Sequence, residues 1–236
     1  MNRIAVYTCI IGGYDELRQP LATDGDFDFI CFVGPGEKSN DRIGAWEIRE
    51  LPERALSDAR AAAPAASQRA RYLSRWPKMH PHLLFPEYAA SVWVDGNILI
   101  ADGSLFSAVR ARMEAGSLFS AMEHPSRDCV YDEAVKCRDM RYFGYFTLFR
   151  ILAFYCFHGI RRHEGLLENN VIFRVHGAGK VVEADELWWS VLPRLGGRDQ
   201  LSLVWCLRKA GLPQDRLLPE GFSTRNHPGF KYLSHK

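Results

Sequence analysis

Short runs of apolar, β-branched and aromatic residues recur along the chain, each closed by glycine, proline or a polar cluster. Residues 4–11 stop at Gly12-Gly13, which predicts a strand entering a sharp loop. Residues 27–33, closed by Gly34-Pro35-Gly36, predict a second strand, and 46–48 a short third. Further strands are expected over 92–94, 118–122 and 171–175. From 57 to 76 alanine and arginine dominate. Proline fits a helix only near its first turn, so a helix is expected over 64–75, with Pro77, Pro81 and Pro86 imposing an irregular segment after it. Helical spacing returns over 105–114, 128–138, 184–195 and 200–210, with Gly116 and Gly211 as stops. Alternation of this kind predicts an α/β fold: a central, mostly parallel sheet flanked by helices, as one domain over 1–236.

In such sheets, ligands bind beyond the carboxyl ends of the strands. The segments to inspect are therefore Gly12-Gly13-Tyr14-Asp15, Asp95-Gly96-Asn97 and Glu168-Asn169-Asn170. If strand geometry persists through Gly96, Asp95 and Asn97 share a face, and two oxygen donors there suit Mg2+ or Mn2+. Asp-Gly and Gly-Asn are also strong turn dipeptides, so the residues alone leave a turn and a metal site level. Ahead of this strand, Lys78, His80 and His82 stand where an anion can be met. Of the arginines, Arg69 reads as solvated helix surface and Arg71 as the better anion contact. Glu168 and Asn169 suit sugar hydroxyls or an ordinary loop. Asp199, followed by Gln200, suits a helix N-cap or a substrate hydroxyl. His227 and Lys231 return either as metal ligand and phosphate contact or as tail residues.

Composition narrows this further. The chain has 236 residues, 47% hydrophobic and 25% charged, enough to build a core without staples. A net charge of +2 gives no sign of a nucleic-acid partner. The six cysteines form no CxxC pair or zinc spacing and read as buried, reduced thiols. With no secretion pattern at the N-terminus, a cytoplasmic protein is expected. Residues 141–160, RYFGYFTLFRILAFYCFHGI, have the length of a membrane span, but Arg141, Arg150 and His158 interrupt them. A buried helix or pocket wall is the first expectation, and peripheral contact with the inner membrane face the second.

Together, YTCIIGGYDEL, DFICFVG, RYLSRWPKMHPHLLFPEY, SVWVDGNILI, EHPSRDCVYDEA, GLLENNVIFRVH and GRDQLSLVWCL resemble the landmarks of GT-A type nucleotide-sugar glycosyltransferases. More narrowly, they resemble a glycosyltransferase-like family, formerly of unknown function, with plant members tied to mucilage polysaccharide and with bacterial members. The resemblance spans residues 7–207. It implies a GT-A fold, a nucleoside-diphosphate sugar donor, a glycan or polysaccharide acceptor, and a metal held at a DxD motif. Asp95-Gly96-Asn97 occupies the place of that motif, with asparagine as second member. HPGFK, the ENN run and the DQ pair are similar to motifs of glycosyltransferase family eight, which implies retention of anomeric configuration. Carried over, Thr8, Gly12, Gly13, Tyr14 and Asp15 line the nucleotide. Asp95, Asn97 and His227 hold Mn2+ or Mg2+. Arg71, Lys78, His82 and Lys231 face the donor or its phosphates, and Glu168, Asn169, Asp199 and Gln200 line sugar and acceptor. In an inverting enzyme, Asp199 or another carboxylate would be the base. Two other readings stand beside this one. One is a hydrolase of a lipid amide, which lacks a GxSxG elbow here. The other is a non-catalytic nucleotide-sugar or glycan-binding module, which Asn97 keeps open. No oligomeric state follows from the sequence.

Overall fold

The computed structural model describes residues 3–38 and 40–234. The chain begins β1 (Ile4–Cys9), β2 (Phe27–Val33), β3 (Arg42–Ile43), β4 (Trp46–Glu50), α1 (Glu53–Ala62), α2 (Arg69–Met79) and α3 (Pro81–Leu84). It continues through β5 (Ala90–Val94), β6 (Ile98–Ile100), α4 (Ser104–Glu114), β7 (Phe119–Glu123), α5 (Val130–Asp139), α6 (Tyr145–Phe157) and β8 (Leu167–Arg174). It ends with α7 (Gly179–Val191), α8 (Leu203–Lys209), β9 (Asp215–Arg216) and β10 (Phe230–Tyr232).

Eight strands form one sheet in the order β3-β4-β2-β1-β5-β8-β7-β9. β4, β2, β1 and β5 pair in parallel, as do β7 and β9, whereas β8 runs antiparallel to both β5 and β7. The α/β class and the mostly parallel sheet expected from the alternation are what the chain adopts. Side chains alternate between the two faces, as strand geometry requires. On one face Tyr7, Ile30, Phe32, Trp93 and Ile172 pack against Trp76 of α2, Trp188 of α7 and Leu207 of α8. On the other, Val6, Phe29, Val92 and Phe173 meet Leu105, Phe106 and Val109 of α4 and the β6–β10 pair.

Three departures from the expected elements matter. First, α2 runs through Pro77 instead of ending before it. Pro77 stands in the last turn, where its missing N–H and its ring disturb a single intrahelical bond, and His80 N–H donates to the Pro77 carbonyl just beyond. Second, the Glu168-Asn169-Asn170 run is not a loop but the start of β8. Because β8 is antiparallel, its beginning lies beside the carboxyl ends of its neighbours. Third, α6 is not a buried helix. Only Ile151 and Tyr155 are buried, whereas Phe146 is 75% and Phe157 87% exposed. Likewise, Cys156 is exposed rather than buried, though all six cysteines are free thiols.

Candidate active site

A pocket of about 660 Å3 opens where β1 and β5 end and β8 begins. The loop after β1 contributes Ile11, Tyr14 and Asp15 to it. Arg71, Ser74, Arg75 and Lys78 follow at helical spacing, so one face of α2 forms a wall. Asp95, Gly96 and Asn97 come from the end of β5, Glu168, Asn169 and Asn170 from the start of β8, and Arg198, Asp199 and Gln200 from the segment before α8.

Lys78 is the buried centre of this arrangement. Its Nζ donates to Asp199 Oδ2 at 2.7 Å and to Asp95 Oδ1 at 3.3 Å, and lies 5.4 Å from the centre of the Trp93 ring. An ammonium has three N–H donors, so two carboxylates leave one for a ligand. The lysine is held from behind. Arg174, fully buried on β8, donates to the Lys78 carbonyl at 2.6 Å, to the Tyr7 hydroxyl at 3.0 Å and to Asp185 Oδ1 at 2.7 Å. Burial pushes the Asp185 carboxyl upward, against the pull of Arg174.

Asp199 does not cap a helix. Arg198 holds the cap position, and Asp199 opens the 3-10 turn Asp199–Leu201. Its carboxylate faces Lys78, and Arg75 Nε lies 3.7 Å from Oδ1. Burial opposes its ionisation, but Lys78, Arg75 and Arg198 outweigh this and hold the group well below the usual carboxylate range. A carboxylate so held is a weak proton acceptor, which counts against Asp199 as a base. The Gln200 amide is also committed, donating to the Leu167 carbonyl.

Asp95-Gly96-Asn97 is a turn, closed by a 2.9 Å bond from Ile98 N–H to the Asp95 carbonyl. The strand geometry assumed for a shared face therefore ends at Val94, yet all three residues line the pocket. Asp95 Oδ1 also accepts from Trp93 Nε1 at 2.5 Å. Gly96 permits close packing, since a Cβ there would stand 3.3 Å from Asp15 Oδ2. Asn97 is strapped to the residue that follows β10. Its Nδ2 donates to the Leu233 carbonyl at 3.1 Å, and Leu233 N–H returns to the Asn97 carbonyl at 2.9 Å. A carbonyl accepts only from the NH2 end of the amide, so Oδ1 is the end left for other contacts.

On the far side, Arg225 pairs with Glu168 Oε1 at 2.7 Å and stacks 3.9 Å from the Tyr232 ring. Burial raises the Glu168 carboxyl, chiefly by desolvation, while Arg225 pulls the other way. Neither amide atom of buried Asn169 has a protein partner, a cost usually met by water or a ligand. The pairing of β8 with β7 slips here, from Ala121–Ile172 to Met122–Glu168, which frees Asn169 from that ladder.

Several expected residues lie elsewhere. Thr8 alternates to the opposite side of β1 from Cys9 and is buried away from the pocket lining. Gly12 and Gly13 are outside the lining too, and Gly12 N–H donates to Glu37. His82 faces Glu186 of α7 at 3.0 Å, and His80 stacks on Trp76, so neither meets the pocket. His227 sits between Phe222 and Phe230, with Nδ1 accepting from Gly229 N–H, and lies outside the pocket lining that contains Asp95. Lys231 is exposed on β10, whose Tyr232 lines the pocket in its place. Arg225 and Tyr232 line the pocket with no mark in the sequence, and Arg75, Arg198 and Tyr142, which lie in segments the sequence points to, line it without being singled out as contacts. The i, i+4 spacing of Arg71 and Arg75 was the one available signal. The others reach the site only through tertiary contacts, such as Arg198 stacking 4.2 Å from the Tyr142 ring.

Among the described residues, another group of potential metal ligands comes together away from this pocket. Atoms of Cys129, Asp132 and His163 lie within 4.8 Å of one another. Arg162 already pairs with Asp132 at 3.1 Å, and Asp128 with His163 at 2.8 Å.

The profile of the TOD1/MUCI70, glycosyltransferase-like domain family matches residues 1–218. None of the curated proteins matches. Among solved structures, mouse xyloside xylosyltransferase 1 is similar at 9% identity, covering 92% of this chain and 78% of its own, with a TM-score of 0.43. Core-mannan synthase A from Aspergillus fumigatus, in a Mn/GDP form, is similar at 10% identity, covering 88% and 70%, with a TM-score of 0.48. Glucosyl-3-phosphoglycerate synthase from Mycobacterium tuberculosis, with Mn2+, UDP and phosphoglyceric acid, shows 12% identity, 90% and 80% coverage and a TM-score of 0.37.

Proposed function

The chain belongs to the TOD1/MUCI70, glycosyltransferase-like domain family, and from that premise we propose that its pocket transfers a sugar from a nucleoside-diphosphate sugar to a hydroxyl of a glycan. The observation that carries this reading is Lys78, a buried ammonium at the pocket wall, fixed by Asp95, Asp199 and the Arg174 anchor. A fixed cation with a spare donor is what a departing diphosphate needs, because it meets developing charge without reorganising. Arg71, Arg75 and Arg198 add positive charge to the same pocket. Tyr14 and Asp15 are our candidates for the nucleotide side.

Asp95 and the Asn97 amide oxygen are hard donors and fit Mg2+ or Mn2+ in chemical type, with Asp15 packed against the same turn. Bound there, such a cation would neutralise diphosphate charge alongside Lys78. Glu168, Asn169 and Gln200 stand on the sugar and acceptor side, with Asn169 able both to donate to and to accept from a hydroxyl.

Both carboxylates on that side are engaged, Asp199 by Lys78 and Arg75, and Glu168 by Arg225. With Asp199 held ionised by its cations, and Glu168 occupied by Arg225 although burial raises it, the incoming hydroxyl's proton is assigned to the departing phosphate oxygen. We therefore read the transfer as retaining. Among the described residues no histidine lines the pocket, which disfavours a hydrolase built on a histidine base or ligand. The free cysteines fit a cytoplasmic setting, with a growing polysaccharide or glycan as acceptor.

Thermal unfolding with UDP- and GDP-sugars, with and without Mn2+, tests the binding half. At least one donor should raise Tm, more so with Mn2+. A flat response to every donor would overturn the reading. Once a donor and acceptor are known, NMR of the product should show the donor's anomeric configuration retained. Inversion would show that a protein carboxylate takes the proton.

A further inference from the structure

The most unusual surface of the molecule is α6. Tyr145 (71% exposed), Phe146 (75%), Phe149 (70%) and Phe157 (87%) leave large rings in solvent. Steps from 146 to 149, 153 and 157 follow the helical repeat, so Phe146, Phe149, Ala153 and Phe157 make one stripe, with Arg150 beside it. The opposite side is docked: Ile151 and Tyr155 are buried, and the Tyr155 hydroxyl donates to the Leu201 carbonyl at 2.6 Å. The helix is thus fixed to the fold with an aromatic face turned outward.

We propose that this face docks on a bilayer containing anionic phospholipid, with α6 lying in the plane of the interface. The charge pattern selects that occupant. Residues 140–163 contain Arg141, Arg150, Arg161 and Arg162 and no aspartate or glutamate; Arg162 is taken up by Asp132, and among the described residues the other three form no ion pair. Arginines around an aromatic stripe match acyl chains and negative headgroups together. A second copy of the chain fits less well, because a twofold contact would set these cations against their own equivalents. A spanning role is excluded for this 13-residue helix, since no helix described is long and apolar enough to cross a membrane.

Docking would also orient the pocket. Tyr142, in the loop leading into α6, lines the pocket and stacks with Arg198. A bilayer under α6 therefore brings the pocket rim close to the membrane surface, where an acceptor carried on a lipid is presented. This corollary rests on the proposed function, but the docking itself does not.

Co-sedimentation separates the two. The full chain is mixed with vesicles of phosphatidylcholine alone and with vesicles containing phosphatidylglycerol, without any sugar donor. It should pellet with the anionic vesicles and at least about tenfold less with the neutral ones, and added salt should release it. Phe146→Ser with Phe149→Ser, and separately Arg150→Glu with Arg161→Glu, neither arginine being ion-paired among the described residues, should each lower binding about tenfold while leaving Tm and donor-induced Tm shifts unchanged. Phe157→Ser alone serves as a milder check on folding. If the wild type stays in solution with anionic vesicles, or both double variants pellet as it does, the proposal is wrong. A dimer in sedimentation velocity that Phe146→Ser with Phe149→Ser dissolves would also overturn it, in favour of a contact between copies.

Discussion

Asn97 stands where the resembled motif has an aspartate, and the structure supplies a reason. Its NH2 group donates to the Leu233 carbonyl and ties the turn to the end of β10. A carboxylate there would face a carbonyl with no proton to give. Asn97→Asp, although it restores the motif, should therefore lower stability by about 1–3 kcal/mol in urea unfolding. An unchanged midpoint would show that the strap is not what selects asparagine. Arg174 has a similar supporting role behind Lys78. Arg174→Met leaves Asp185 buried without its cation, for an expected loss of about 3–5 kcal/mol. In a variant that still folds, the resulting slack in Lys78 should weaken donor-induced thermal shifts.

Among elements, α2 links chemistry to stability. It carries Lys78 into the pocket and ends at His80, whose Nδ1–H donates to the Trp76 carbonyl at 2.8 Å. Burial pushes His80 down to about 4 from its ordinary 6.5. Between those values the unfolded chain binds the extra proton and the folded one does not. The contribution of His80 is thus full above pH 6.5 and lost as pH falls towards 4. It amounts to about 1–3 kcal/mol. Glu168 and Asp185, both raised by burial, act in the opposite sense, but they do so equally in a His80 variant. Comparing His80→Asn with wild type in urea at pH 7 and pH 5 isolates the effect, and the variant should lose less stability on acidification. Equal losses would mean that His80 titrates normally.

Elements also differ in how far they were legible. β2 was readable because an apolar run between turn residues has one good solution in a sheet. α4 and α5 were readable from their periodicity to within a residue or two. The interior Pro77 misled because its cost depends on position within the helix, which only the finished helix sets. The direction of β8 is fixed by its neighbours, not by its own residues, so Glu168 and Asn169 looked like loop residues. Aromatic richness in α6 suggested burial, but composition cannot say whether the fold supplies a cover. At the site, Asp95, Lys78 and the segment 168–170 were legible because polar groups at strand and helix ends are conspicuous. Arg225 and Tyr232 come from the last stretch of chain, and their place depends on how β10 returns to β6.

At the scale of the whole molecule, the sheet's carboxyl ends, the α2 wall and the returning β10 strand converge on one polar pocket, with the exposed α6 face nearby. Docking of α6 and donor chemistry are separable, so a protein that ignores vesicles can still bind nucleotide sugar, and the reverse. In the proposed reaction, everything turns on where the diphosphate lies. A crystal structure grown with Mn2+ and the nucleoside diphosphate giving the largest thermal shift tests it most directly. The expected result places the diphosphate within hydrogen-bonding distance of Lys78 Nζ, with the cation on Asp95. A nucleotide bound away from Lys78, or a pocket holding none at saturating concentration, would contradict it.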